Sequence, residues 1–207
     1  MHTRLRMKWT PIALLLALFA GLAGAQPADD RYGHMHMKYE RTFLGVDVAN
    51  IDVTFDAATR DRVRQLAAGQ RYSDQVAERI ARAALEAYDA NVQVQFLHDA
   101  SLKESLDAAR KNLERARDAG YISQDAFATA WANVQRDFAR LGQRGFKKGD
   151  RLLYHARPGS LQTTVTSGDR VLLDVTSPGE APRRAVLASY FAPGSDFRKG
   201  LIKDVFR

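Results

Sequence analysis

Cysteine is absent from the 207 residues. Its absence excludes disulfide bridges, thiol nucleophiles and cysteine-held metal sites, so the fold must stand on packing alone. Long apolar runs are scarce. The unbroken run from Ile12 to Ala20 is shorter than the roughly 20 residues that cross a bilayer. Internal repeats, low-complexity segments and blocks of one charge sign are also missing. Acids and bases alternate along the chain despite a formal net charge of +7. That pattern describes a solvated surface and argues against a nucleic-acid partner.

What the N-terminus does hold is Arg4, Arg6 and Lys8, then the apolar run, then Ala23-Gly24-Ala25. A basic stretch, a short apolar core and a small-x-small site are the marks of a secretory signal peptide. Residues 1–25 are therefore expected to be removed on export, which predicts a periplasmic protein with no integral membrane segment after cleavage. No cysteine follows the cleavage pattern, so a lipoprotein anchor is excluded. Cleavage leaves 182 residues with a net charge of +4, a length that suits one domain with a real core.

Residues 26–36 are polar and irregular and are expected to form a flexible N-terminal segment. They lead into His34-Met35-His36-Met37. Imidazole with thioether suits copper, so His34 and His36 are candidate metal ligands. Residues 37–55 alternate as two strands or one bent strand, with a phase shift near Ala49-Asn50 that predicts a bulge. Asp56 caps a helix over 57–68, and Ser73 caps another whose stripe is Val76, Ile80, Ala84 and Tyr88. Val92, Val94 and Phe96 mark a half-buried strand. The His98-Asp99 pair beyond it invites an acid–base reading. Neighbouring side chains diverge, however, and no serine or cysteine nucleophile is set with them.

Ser101-Leu102-Lys103-Glu104 is a capping box. It opens a helix with Leu106, Ala109, Leu113 and Ala116 on one face, stopped by Gly120. Ser123 caps a second helix, striped with Phe127, Trp131, Val134, Phe138 and Leu141. The two predict an antiparallel helical hairpin with room for a pocket against a sheet. Gly149-Asp150 then turns helix into strand. Leu152, Tyr154 and Ala156 alternate, Pro158-Gly159 turns, and Leu161, Thr163 and Val165 pair with Val171, Leu173 and Val175. Residues 185–191 fit a strand or a buried helix equally well. Ser195 is expected to cap a last helix.

The order of these elements, with Lys148-Gly149-Asp150, Pro158-Gly159-Ser160-Leu161 and the closing Ala192-Pro193-Gly194-Ser195-Asp196-Phe197, resembles bacterial chalcone isomerase-like proteins. Those are exported relatives of plant chalcone isomerases and fatty-acid-binding proteins. The resemblance covers about residues 39–206 and implies an α+β open-faced β-sandwich: one antiparallel sheet covered by a helical layer, forming a domain over 37–207. Plant isomerases carry an arginine in a glycine-rich segment, a threonine in the first long strand, and a tyrosine and asparagine on the helix after the central strand. Here the glycine-rich segment is missing. Arg41 stands near the arginine, Asp47 about where the threonine would be, and Leu106 in the tyrosine–asparagine region.

The resemblance therefore implies a ligand-binding helix–sheet cleft without the isomerase set. It suggests a non-catalytic protein, without cofactor, that takes a small apolar or amphipathic ligand, with Arg41, Asp47, Tyr154 and Tyr190 as candidate contacts. Arg41 is the favoured partner for an anionic ligand because guanidinium binds carboxylate bidentately. Two alternatives remain at this stage: a structural or accessory protein of an envelope complex, and an enzyme using Tyr154, His98 or Tyr190 as acid–base groups.

Overall fold

Six strands follow one another across a single sheet in the order β1-β2-β3-β4-β5-β6, each antiparallel to the next. They are β1 (His34–Arg41), β2 (Val46–Phe55), β3 (Ala90–Phe96), β4 (Arg151–Arg157), β5 (Ser160–Ser167) and β6 (Arg170–Pro178). The helices are α1 (Ala57–Ala67), α2 (Asp74–Leu85), α3 (Leu102–Asp118), α4 (Gln124–Ala139), α5 (Glu180–Phe191) and α6 (Arg198–Asp204). This computed structural model describes residues 32–41 and 46–207. The expected signal peptide and residues 26–31 lie outside the described residues.

Strand alternation decides which face of the sheet is covered. Ala90, Val92, Val94 and Phe96 of β3, Leu152, Tyr154 and Ala156 of β4, and Leu161, Thr163 and Val165 of β5 all point to one buried face. The helices lie over that face, as an antiparallel sheet with one solvated side requires. The expected bulge sits close to its forecast place. Tyr39 pairs with Ala49 and Glu40 pairs with Asp47, so Val48 is the extra residue in β2. A second bulge leaves Leu172 over when Val165 pairs with Leu173 and Thr166 with Val171. Val171 is thereby turned to the solvent face and is 58% exposed. Simple alternation places it inside, and the bulge is why it is not.

Several expectations change here. β1 begins at His34, so residues 34–36 are strand and not part of a flexible segment. Tyr88 lies beyond the end of α2 and is 71% exposed, not buried. Residues 185–191 are helix, within α5. That helix touches α2, α3 and α4 as well as β4 and β5. It is therefore buried on almost every side, which erases the amphipathic stripe that periodicity reads. The last helix starts at Arg198 without a side-chain cap. Ser195 instead donates to the Ser189 carbonyl and accepts from the Phe197 amide.

The caps of α3 and α4 form as expected. Ser101 and Glu104 close the capping box, and Ser123 accepts from the Ala126 amide. Glu78 of α2 ties three elements. It accepts the Tyr121 hydroxyl at 2.7 Å and pairs with Arg198 at 3.0 Å and Arg82 at 2.8 Å. Burial, reinforced by Glu78, pushes the Tyr121 hydroxyl up to about 12. Tyr121→Phe should cost about 1 kcal/mol, the net worth of one hydrogen bond. A urea titration of the variant will show it, and an unchanged midpoint would mean that Arg198 and Arg82 hold Glu78 without it.

Candidate ligand-binding site

The seam between the helical layer and strands β4 to β6 holds an inner hollow. A cavity of about 30 Å³ lies along the inner face of α4, walled by Leu113, Val134, Phe138, Leu161 and Val186. Ala130 and Pro182 narrow it further. Its polar lining is Tyr154, Thr163, Ser177, Asn133 and Asp137. A space of that size holds one or two waters. It is well below the roughly 150 Å³ that takes up a benzene-sized ring.

Tyr154 reaches the cavity from the middle of β4 and is 7% exposed. Its hydroxyl has no hydrogen-bond partner among the described residues. Buried tyrosine hydroxyls usually find one. Burial, and then the Asp137 carboxylate, hold the Tyr154 hydroxyl well above its ordinary pKa. Burial, and then Tyr154, do the same to Tyr190. Both phenols therefore stay protonated at neutral pH and can offer a proton to an acceptor but not serve as bases. Tyr190 is fixed by stacking on Phe197, with ring centroids 4.9 Å apart.

Asp137 borders the same cavity from α4. Its side chain is 7% exposed and takes Nε of Arg136 at 2.9 Å. Arg136 also donates to Asn133 at 3.0 Å. A nearly buried carboxylate beside a buried phenol without a partner is the kind of grouping found at functional sites. Sequence reasoning missed it. The signal was present, since Asp137 falls seven residues after Ala130 and three after Val134, inside the apolar stripe of α4.

Of the four candidate ligand contacts, Tyr154 lines the cavity, and Tyr190 stands near Tyr154 without lining it. Asp47 is not with them. The β1–β2 bulge sets it opposite Glu40, where it pairs with Lys38 at 2.9 Å in a partly exposed ion pair. Arg41 ends β1 by pairing with Val46, and its side chain lies outside the described residues. His98 is exposed, and Asp99 is occupied by the Lys147 amine and the Lys148 amide. The acid–base pairing suggested by their adjacency does not form.

His34 and His36 project from one side of β1 and share one oxygen of Asp52, each at 2.9 Å. Met35 points the opposite way and is fully buried. The alternation of β1 thus separates thioether from imidazole, and the mixed copper ligand set is not assembled. Among the described residues no three histidine or acidic side chains form a metal-holding group. No helix among them is long and apolar enough to cross a membrane.

No protein-family model matches the sequence, and no curated protein matches it. Among solved structures, a fatty-acid binding protein of Arabidopsis thaliana superposes with a TM-score of 0.51 at 12% identity, over 85% of this chain and 89% of that one. The likeness is one of fold. The chain has the chalcone isomerase-like α+β arrangement, an open antiparallel sheet covered on one face by helices.

Proposed function

We propose that this chain is an exported, non-catalytic binding protein for a small amphipathic or acyl molecule, held in the seam between α4 and strands β4 to β6. The observation that carries the reading is the Tyr154 hydroxyl. The tyrosine as a whole is 7% exposed, and its hydroxyl is protonated, has no partner among the described residues, and opens on a largely apolar cavity next to Asp137. A donor buried without any partner costs about 1–3 kcal/mol; this one opens on the cavity, where a water or a polar atom of a guest can accept from it. The fatty-acid binding named for the fold neighbour is in keeping with this reading. At about 30 Å³ the cavity is the closed form, and an acyl chain enters only as α4 moves off the sheet.

The small volume favours one other reading, a structural or accessory protein of the cell envelope whose seam is simply packed shut. Ala130→Val separates the two. Ala130 lines the cavity and is buried, and two added methyls fill it from the helix side. For a binding protein, dodecanoate at a hundred times its Kd stabilises by about 2.7 kcal/mol, which raises the wild-type Tm by about 5–10 °C. The variant, stable to within about 1 kcal/mol, should lose most of that shift. If neither protein responds to acyl acids, alcohols or periplasmic lipid extract, and native mass spectrometry finds both bare, the packed-seam reading replaces this one.

A further inference from the structure

We infer that the seam opens between α4 and the edge strand β6, and that Arg140 there receives the anionic head of the ligand. This rests on the binding role proposed above. A surface groove of about 480 Å³ runs between α4 and β6, lined by Arg136, Asp137, Arg140, Val175 and Thr176. Asp137 lines both this groove and the inner cavity. It is therefore the partition between outside and inside, with its carboxylate 7% exposed and Arg136 over it, 62% exposed.

Topology makes this the yielding side. β6 is the last strand of the sheet and has no strand neighbour beyond it among the described residues. α4 meets β6 far more sparsely than it meets α3 and α5. It can swing from the edge without breaking a strand ladder, hinged on its helical neighbours. The α4 side chains that would uncover are Ala130, Val134 and Phe138, an apolar strip fit for an alkyl tail.

Charge then orients the guest. Arg136 neutralises Asp137, while Arg140, one turn further on, makes no ion pair among the described residues. One net positive charge remains at the mouth. The C-terminal end of α4 opposes an anion with only about half an elementary charge. A carboxylate at the mouth meets the fork of Arg140, and its tail lies inward, past Asp137, over Ala130, Val134 and Phe138, with a retained water accepting from the Tyr154 hydroxyl. The ligand class is an acyl or other amphipathic carboxylate.

The test uses two molecules with one tail, dodecanoate and dodecanol, titrated into the whole protein and into Arg140→Gln. Arg140 is exposed, so the variant should melt like the wild type. Wild type should bind the acid about tenfold tighter than the alcohol, and 0.5 M salt should shrink that ratio. Arg140→Gln should bring the acid down to the level of the alcohol and leave the alcohol unchanged. If both molecules bind and the substitution alters neither, the head lies elsewhere and this inference falls while the binding role stands. If neither molecule binds the wild type, the binding role falls and takes this inference with it.

Discussion

Gly145→Ala is expected to lower stability by about 3–4 kcal/mol. Gly145 follows the short 3-10 turn Gly142–Arg144 and has φ +58° and ψ −147°. That region is essentially closed to residues with a Cβ and costs of order 1–3 kcal/mol when forced. The site is also crowded. A Cβ there would lie 2.5 Å from the Ala100 carbonyl oxygen and 2.9 Å from the Leu102 amide nitrogen. Both are backbone atoms at the start of α3, and neither can turn aside. The next residue, Phe146, exchanges both backbone hydrogen bonds with Ala100 and stacks on Phe96 at 4.3 Å. The added methyl therefore pries the loop after α4 away from both α3 and the end of β3. Gly142→Ala is the control, with the same φ of +58° but nothing within 4 Å of its Cβ. It should cost about 1 kcal/mol. Chemical denaturation of the two variants gives the comparison. Equal losses would mean that backbone strain acts alone and that the contact with Ala100 relaxes without penalty.

Local signals carried much of this architecture. The β4–β5–β6 meander is legible because each turn has its own glycine and each strand its own alternation. The α3–α4 hairpin is legible because both caps are local, Ser101 with Glu104 and Ser123 with Ala126. Failures came where tertiary contacts override local pattern. α5 is buried nearly all round, so it carries no stripe to separate helix from strand. Asp47 and Val171 are each moved to the opposite face by one extra residue in a strand, and a bulge is written in the register of two strands, not in the residues of one. The candidate site was legible in part. Tyr154 follows from burial on its strand, but the isolation of its hydroxyl depends on what α4 fails to offer it, and Tyr190, buried on its helix, does not line the cavity. Asp137 was visible as a charge within an apolar stripe. Only the structure shows that it separates the inner cavity from the outer groove.

Asp150→Ala should cost about 3 kcal/mol near neutral pH, and the size of that loss should depend on acid. Asp150 is fully buried at the turn that starts β4. Its carboxylate takes both ends of the Arg144 fork, at 2.5 and 2.8 Å, and the Lys147 amide at 2.8 Å. The Ser167 hydroxyl stands in the same group, 3.0 Å from the guanidinium. Removing one partner of a buried pair costs 3–5 kcal/mol in general. The lower end applies here, because Arg144 keeps a third of its side-chain surface in water and can turn outward. Burial pushes the Asp150 carboxyl up, but the Arg144 hydrogen bonds, the Lys147 amide and Ser167 together hold it below its ordinary value. A carboxyl with a lowered folded pKa adds stability that is present in full above the unfolded value of about 3.9. That stability drains away as the pH falls through the lower folded value. The wild type and Asp150→Ala should therefore differ by a constant amount from pH 5 to 8 and converge below about pH 4. Asp150→Asn, which keeps the shape and can still accept from Lys147, should lose less at neutral pH and converge over the same range. Urea midpoints at pH 7, 5, 4 and 3 measure both. A gap that stayed constant down to pH 3 would assign the loss to shape and amide capping, with no net contribution from the ion pair.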